Sequence, residues 1–148
     1  MEYEYCLAIN TGDDARKLYD PSPEEIDIAI NELLPVNYHF VILSSQERVG
    51  NCDFIQTTIS GDGCDTKLNY YVEVRFQYTK EYPGNFSQHK YDTTDMDELK
   101  RMFRMFALGI IPDIAGWEDI TEKIKNLPSI DEQREKRREK AERLAIRK

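Results

Sequence analysis

Residues 69–79, NYYVEVRFQYT, alternate cleanly between apolar and polar positions. In an extended strand, Tyr70, Val72, Val74, Phe76 and Tyr78 fall on one side, and Tyr71, Glu73, Arg75 and Gln77 on the other. Such a strand buries one face and leaves the other at least partly wet. Residues 3–9 (YEYCLAI) and 53–60 (DFIQTTIS) read as further strands from their aromatic and β-branched content. Residues 38–45 (YHFVILSS) are apolar on both sides of any strand, which predicts a mid-sheet place with its second face covered. Gln46–Asn51 reads as a turn, and Gly61-Asp62-Gly63 as a hairpin loop, because glycine tolerates the positive φ such loops need. Residues 11–21 read as a polar connection and residues 80–92 as a long turn-rich loop.

Two stretches switch to a helical period. Ser22 supplies a capping oxygen, Pro23 suits the first helical position, and Glu25 completes a capping box. Ile26, Ile30 and Leu33/Leu34 then form an apolar stripe that Pro35 ends. The second helix is expected to start at Thr94, with Asp97 in the capping-box position. Leu99, Met102, Phe103, Phe106 and Ala107 form its stripe, and Gly109 suits its C-terminal cap. Trp117 is expected to plug the end of the core, ahead of a short helix around 119–125.

The order is β-α-β-β-β-α. It predicts an α+β fold: an antiparallel sheet, a meander of about four strands, with two amphipathic helices packed mainly on one face. Residues 1–128 form the expected single domain. Residues 129–148 form a charged tail that favours helix through Glu–Lys/Arg pairs four apart and has almost no apolar stripe before Leu144.

Charge sharpens this picture. Residues 1–128 carry 23 acidic and 12 basic side chains, a net of −11, and residues 129–148 carry a net of +3. An acidic body suits a basic protein partner and disfavours nucleic acid. The basic tail is interleaved with Glu and has no aromatic side chain for base stacking. No apolar run approaches the roughly 20 residues of a membrane-spanning helix. The segment MEYEYCLAIN carries acids where a signal peptide carries bases, so the expected location is cytoplasmic. Cys6, Cys52 and Cys64 then read as reduced thiols.

Catalytic patterns do not emerge. His39 reads as a core or sheet-face residue and His89 as a solvated loop residue, neither with a nucleophile at a recognisable spacing. The segment GDGCD lacks the alternating acids and the twelfth-position Glu of an EF-hand. No zinc pattern and no phosphate-binding glycine loop occurs, so no metal or cofactor is expected. Glu73 and Arg75, two apart on one strand face, read as a cross-strand ion-pair site beside Tyr71.

The helix opening PSPEEIDIAINELL, the strand pair FIQTT…YYVEVRF, the helix DELKRMFRMFALG and the late Trp in GWEDI span about residues 22–121. In these segments the chain resembles the small cytoplasmic immunity proteins of bacterial polymorphic toxin systems. The resemblance implies an α+β fold, no catalysis and tight binding to one cognate toxin domain, with no fixed set of binding residues. The charge imbalance points the contact to the loop acids Asp62, Asp65 and Glu81 and to the wet face carrying Tyr71, Glu73 and Arg75. The alternative class is an adaptor or regulatory interaction domain.

Overall fold

The computed structural model describes residues 4–11, 14–34, 39–60, 69–77, 86–126, 138–140 and 142. It is an α+β fold built on a seven-stranded, wholly antiparallel sheet. The strands are β1 (Tyr5–Thr11), β2 (Ala15–Tyr19), β3 (His39–Val49), β4 (Cys52–Ser60), β5 (Asn69–Gln77), β6 (Phe86–Thr93) and β7 (Glu118–Asp119). Their order across the sheet is β2-β1-β3-β4-β5-β6-β7. The helices are α1 (Pro23–Asn31), α2 (Met96–Ala107) and α3 (Thr121–Lys125).

Three strands exceed the expected four. β2 lies in the stretch read as a polar connection. All its residues except half-buried Leu18 are exposed, so burial leaves almost no alternation, and pairing with β1 alone defines it. β6 lies in the stretch read as a loop. Its helix-side positions are Ser87, His89, Tyr91 and Thr93, opposite Phe76, Val74, Val72 and Tyr70, and they carry no aliphatic signal. His89 is therefore half-buried in a strand rather than solvated. Its ring meets Phe76 edge-on at 5.9 Å, and Nε2 lies 3.1 Å from the Ser87 hydroxyl. β7 has only two residues and shows no period.

β3 runs into the expected turn as far as Val49, through a register irregularity after Ser44. The reversal is confined to Gly50 and Asn51, between the paired Val49 and Cys52. Both turn residues have positive φ, +51° and +69°, the type I′ geometry whose twist matches antiparallel strands.

α1 has the predicted capping box in full. Glu25 N–H donates to Ser22 Oγ at 3.1 Å, and Ser22 N–H donates to Glu25 Oε1 at 3.0 Å. α2 is capped one residue later than expected. Asp95 Oδ1 accepts from the N–H groups of Asp97 and Glu98. The hydroxyl of Thr93 receives the Asp95 N–H and donates onward to Glu98, so the turn is built around Thr93 and Asp95 rather than Thr94. Gly109 ends the helix at φ +84°, with Gly109 N–H donating to the Phe106 carbonyl and Ile110 N–H to that of Met105.

One buried cluster joins Ile26, Ala29, Ile30 and Leu33 of the α1 segment and Leu99, Phe103 and Phe106 of α2 to one face of the sheet. The sheet contributes Leu7, Ile9, Val41, Leu43, Ile55, Val72 and Val74 among others. Leu33 is buried and Leu34 exposed, and Phe76 is half-buried at the margin. Arg104 of α2 reaches Asp27 of α1 at 2.9 Å, and the two helices pack antiparallel. α1 begins beside Tyr5 and ends where Glu32 pairs with Arg16; α2 begins beyond Thr93 and ends where Phe106 meets the Tyr5 ring. Trp117 is half-buried and stacks on Tyr91 at 5.2 Å, closing the margin of this core. Cys6 and Cys52 are free and buried, and burial pushes the Cys52 thiol up to about 12. In the tail, residues 138–140 and 142 are helical and exposed; the remainder, like Cys64, lies outside the described residues. No described helix is long and apolar enough to cross a membrane.

Phe103→Ala should cost about 3–5 kcal/mol in chemical denaturation, the range for a fully buried Phe; less than about 1 kcal/mol would place Phe103 outside the core. Asp95→Ala should cost about 1 kcal/mol and Thr94→Ala close to nothing, because only Asp95 serves the first-turn donors of α2. Equal losses at the two positions would contradict this cap.

Candidate protein-binding face

The alternation of β5 turns Tyr71, Glu73 and Arg75 away from α1 and α2, as the sequence predicts, while Tyr70, Val72 and Val74 are buried beneath the helices. Across the sheet, Tyr71 lies between Thr58 and Asp92, Glu73 between Gln56 and Lys90, and Arg75 between Phe54 and Gln88. These nine residues lie on the second face of β4, β5 and β6.

Among the described residues neither Glu73 nor Arg75 forms the expected cross-strand ion pair, nor do they pair with each other. Residues two apart on a strand are separated by nearly 7 Å along the chain, and a third side chain fills the interval. Gln88 Nε2 donates to Glu73 Oε1, and Arg75 Nε donates to Gln88 Oε1, both at 2.8 Å. Gln56 Nε2 donates to the other carboxylate oxygen, also at 2.8 Å. The Glu73 carboxylate is thus held between two amides, and the guanidinium of Arg75 is tied to it through one of them.

Aromatic rings fix the cations. The guanidinium carbon of Arg75 lies 4.2 Å from the ring centre of Phe86 and 5.4 Å from that of Phe54. Lys90 Nζ sits 3.9 Å over the Tyr71 ring, and Lys125 Nζ lies 5.5 Å from Phe86. Cation–π contacts of this kind contribute on the order of 0.5–2 kcal/mol, more where water is excluded.

The face is not fully open, because β7 and α3 fold over its β6 side. Ile120 N–H donates to the Gln88 carbonyl, and Gln88 N–H donates to Thr121 Oγ, each at 2.9 Å. Gln88 is left only 2 % exposed. Hydrogen bonds from the Thr121 hydroxyl and N–H hold the Asp119 carboxyl below its ordinary range, and Lys123 does the same for Glu118. Both carboxylates favour this local arrangement of β7 and α3 while ionised. That support is present above the ordinary carboxylate range and is lost as pH falls through the lowered values. Between α3 and the sheet lies a cleft of about 260 Å³ lined by Tyr71, Glu73, Lys90, Ile120, Lys123 and Ile124.

Of the six expected contact residues, Tyr71, Glu73 and Arg75 share this face. Asp62, Asp65 and Glu81 lie outside the described residues. Gln88, Lys90 and Phe86, which complete the arrangement with Gln56, escaped sequence reasoning because β6 was not legible as a strand, and Gln56 of β4 was missed because its register opposite Glu73 is set by pairing. Among the described residues, no three His, Cys, Asp or Glu side chains group as a metal site would require. No family model, no curated protein and no solved structure matches the chain.

Gln88→Leu should destabilise the fold by about 1–3 kcal/mol, because it strands the Glu73 carboxylate and the Arg75 N–H beneath α3. The same change at Gln56 should cost less, since only its single bond to Glu73 is lost and the Gln88 link stays intact. A neutral Gln88→Leu in thermal or urea unfolding would contradict a network that holds the face together.

Proposed function

We propose that this protein neutralises a cognate bacterial toxin domain, as a non-catalytic immunity protein acting by steric and electrostatic blockade. The observation that carries the reading is the commitment of the second sheet face. Both oxygens of Glu73 and the Nε of Arg75 are spent on neighbouring side chains, and Arg75 and Lys90 lie against aromatic rings. A carboxylate fixed between two amide donors supports a rigid presenting surface better than a proton-transfer site. Tyr and Arg held in place on a preorganised face are the side chains that dominate protein interfaces. Rigidity also lowers the ordering cost of binding.

Electrostatics supplies the second part. The net charge of −11 over residues 1–128 favours a basic partner and accelerates its approach. The bound partner is blocked by the face itself, with Tyr71 and the cations as anchors and the acids Asp62, Asp65 and Glu81 steering the encounter. The compartment proposed for this encounter is the cytoplasm. The partner is sought first as the product of a secreted-toxin gene directly upstream; an adaptor would have no such neighbour.

Association with that partner should slow by about tenfold or more between low and physiological salt, because exposed charges are screened beyond about 8–10 Å. Asp62→Lys with Asp65→Lys should lower the on-rate more than it raises the off-rate, measured by stopped-flow or surface binding. Tyr71→Ala should instead raise the off-rate. Salt-independent association would remove the acids from the mechanism, and full protection of cells by a variant changed at all six positions would sink the interface.

A further inference from the structure

Six large apolar side chains are exposed among the described residues, and five of them belong to the helix layer on the first face of the sheet. Ile28 (54 %) and Leu34 lie on and just beyond α1, while Met105 (38 %), Leu108 (75 %) and Ile110 (46 %) lie on and just beyond α2. Only Tyr19 lies elsewhere. In a chain this polar, an apolar concentration on one layer marks an interaction surface.

The charges of the layer are unevenly divided between the helices. The α1 segment carries Glu24, Glu25, Asp27 and Glu32 and no base. The latter part of α2 carries Lys100, Arg101 and Arg104 and no acid. Arg104 is paired with Asp27 in the same chain, whereas Lys100 and Arg101 have no ion-pair partner among the described residues. α2 opens on Asp97 and Glu98, and Glu32 is paired with Arg16, so the layer sets an acidic helix antiparallel to one that is basic after its first turn, with Ile28 and Met105 close to the level of the Asp27–Arg104 bridge.

We propose that a second copy of the chain docks on this layer, forming a two-fold dimer whose axis runs parallel to the helices. That axis places α1 of one copy opposite α2 of the other. Acidic α1 then faces the basic later turns of α2 twice, and Ile28 of each copy meets Met105 of its partner at the same level. A two-fold interface must be complementary to itself, and this division of charge satisfies that condition without any change of shape. The layer is small. A helix of 12 residues is about 18 Å long, and two helices side by side are about 20 Å wide. That projected area falls well below the roughly 800 Å² per partner of a standard interface. The dimer is accordingly weak, concentration-dependent and salt-sensitive. It leaves the Tyr71–Arg75 face, on the other side of the sheet, free for a different protein.

The test is sedimentation velocity with light scattering on the full chain, from micromolar to near-millimolar concentration. The weight-average mass should climb toward twice the monomer and fall back when salt is added. Ile28→Asp and Met105→Lys should each weaken self-association by about tenfold or more. Both positions are exposed, so each variant should keep the wild-type circular dichroism. An equimolar mixture of the two variants should dimerise again, because the mixed dimer holds one opposite-charge contact and one unchanged Ile28–Met105 contact. A monomer at the highest concentration would overturn the proposal, as would a mixture that associates no better than the single variants. Loss of toxin-domain binding by these variants, in a chain that stays monomeric, would assign the layer to that partner and equally overturn it.

Discussion

The stripe of α2 against the central strands is the contact on which the other features depend. Leu99, Phe103 and Phe106 are fully buried against the face that carries Val41, Leu43, Ile55, Val72 and Val74. Apolar burial is worth roughly 25 cal/mol per Å², and three large side chains on one helix face make α2 the principal cover of the sheet. Register is strict under such a cover. A slip of one residue in β5 would carry Val72 and Val74 to the outside and Glu73 into the core. The helix that stabilises the first face therefore also determines which residues the second face presents.

The second face achieves order by different means. Its inventory is polar and aromatic, so hydrogen bonds and ring contacts replace close apolar packing. Gln88 is central: its side chain joins Glu73 to Arg75, and its backbone is capped by Ile120 and Thr121. α3 thereby closes one side of the polar network and blunts β6, a strand that would otherwise offer unpaired backbone groups at the sheet edge. Fold and proposed binding face meet at this residue, since the bonds that complete the edge of the sheet also fix the cations and the carboxylate in place.

The sequence was legible where a side chain answers to one dominant force. β5 and both long helices follow apolar periodicity, and Ser22 and Glu25 form their box because a local hydrogen bond decides it. It was opaque where pairing alone decides. β2 has only Leu18 to announce it, and β6 exchanges aliphatic residues for Ser87, His89, Tyr91 and Thr93 because Trp117 and the Glu98 network cover that margin. Tyr71, Glu73 and Arg75 could be placed together from alternation. Their true partners could not, because Gln56 and Gln88 come from neighbouring strands and one of those strands was read as a loop. The shift of the α2 cap from Thr94 to Asp95 has the same origin: adjacent residues both carry capping oxygens, and the Thr93–Glu98 bond selects between them.

Nuclear magnetic resonance of side-chain nitrogens offers the most direct test of the claim that the second sheet face meets the partner. The Nε–H of Arg75 and the amides of Gln56 and Gln88 are hydrogen-bonded reporters that belong to the face alone. Titration with the proposed toxin-domain partner should shift these signals together with those of Tyr71 and Lys90, and should leave Ile28 and Met105 unmoved. Shifts confined to the helix layer, with the Arg75, Gln56 and Gln88 signals unchanged at saturation, would contradict the account.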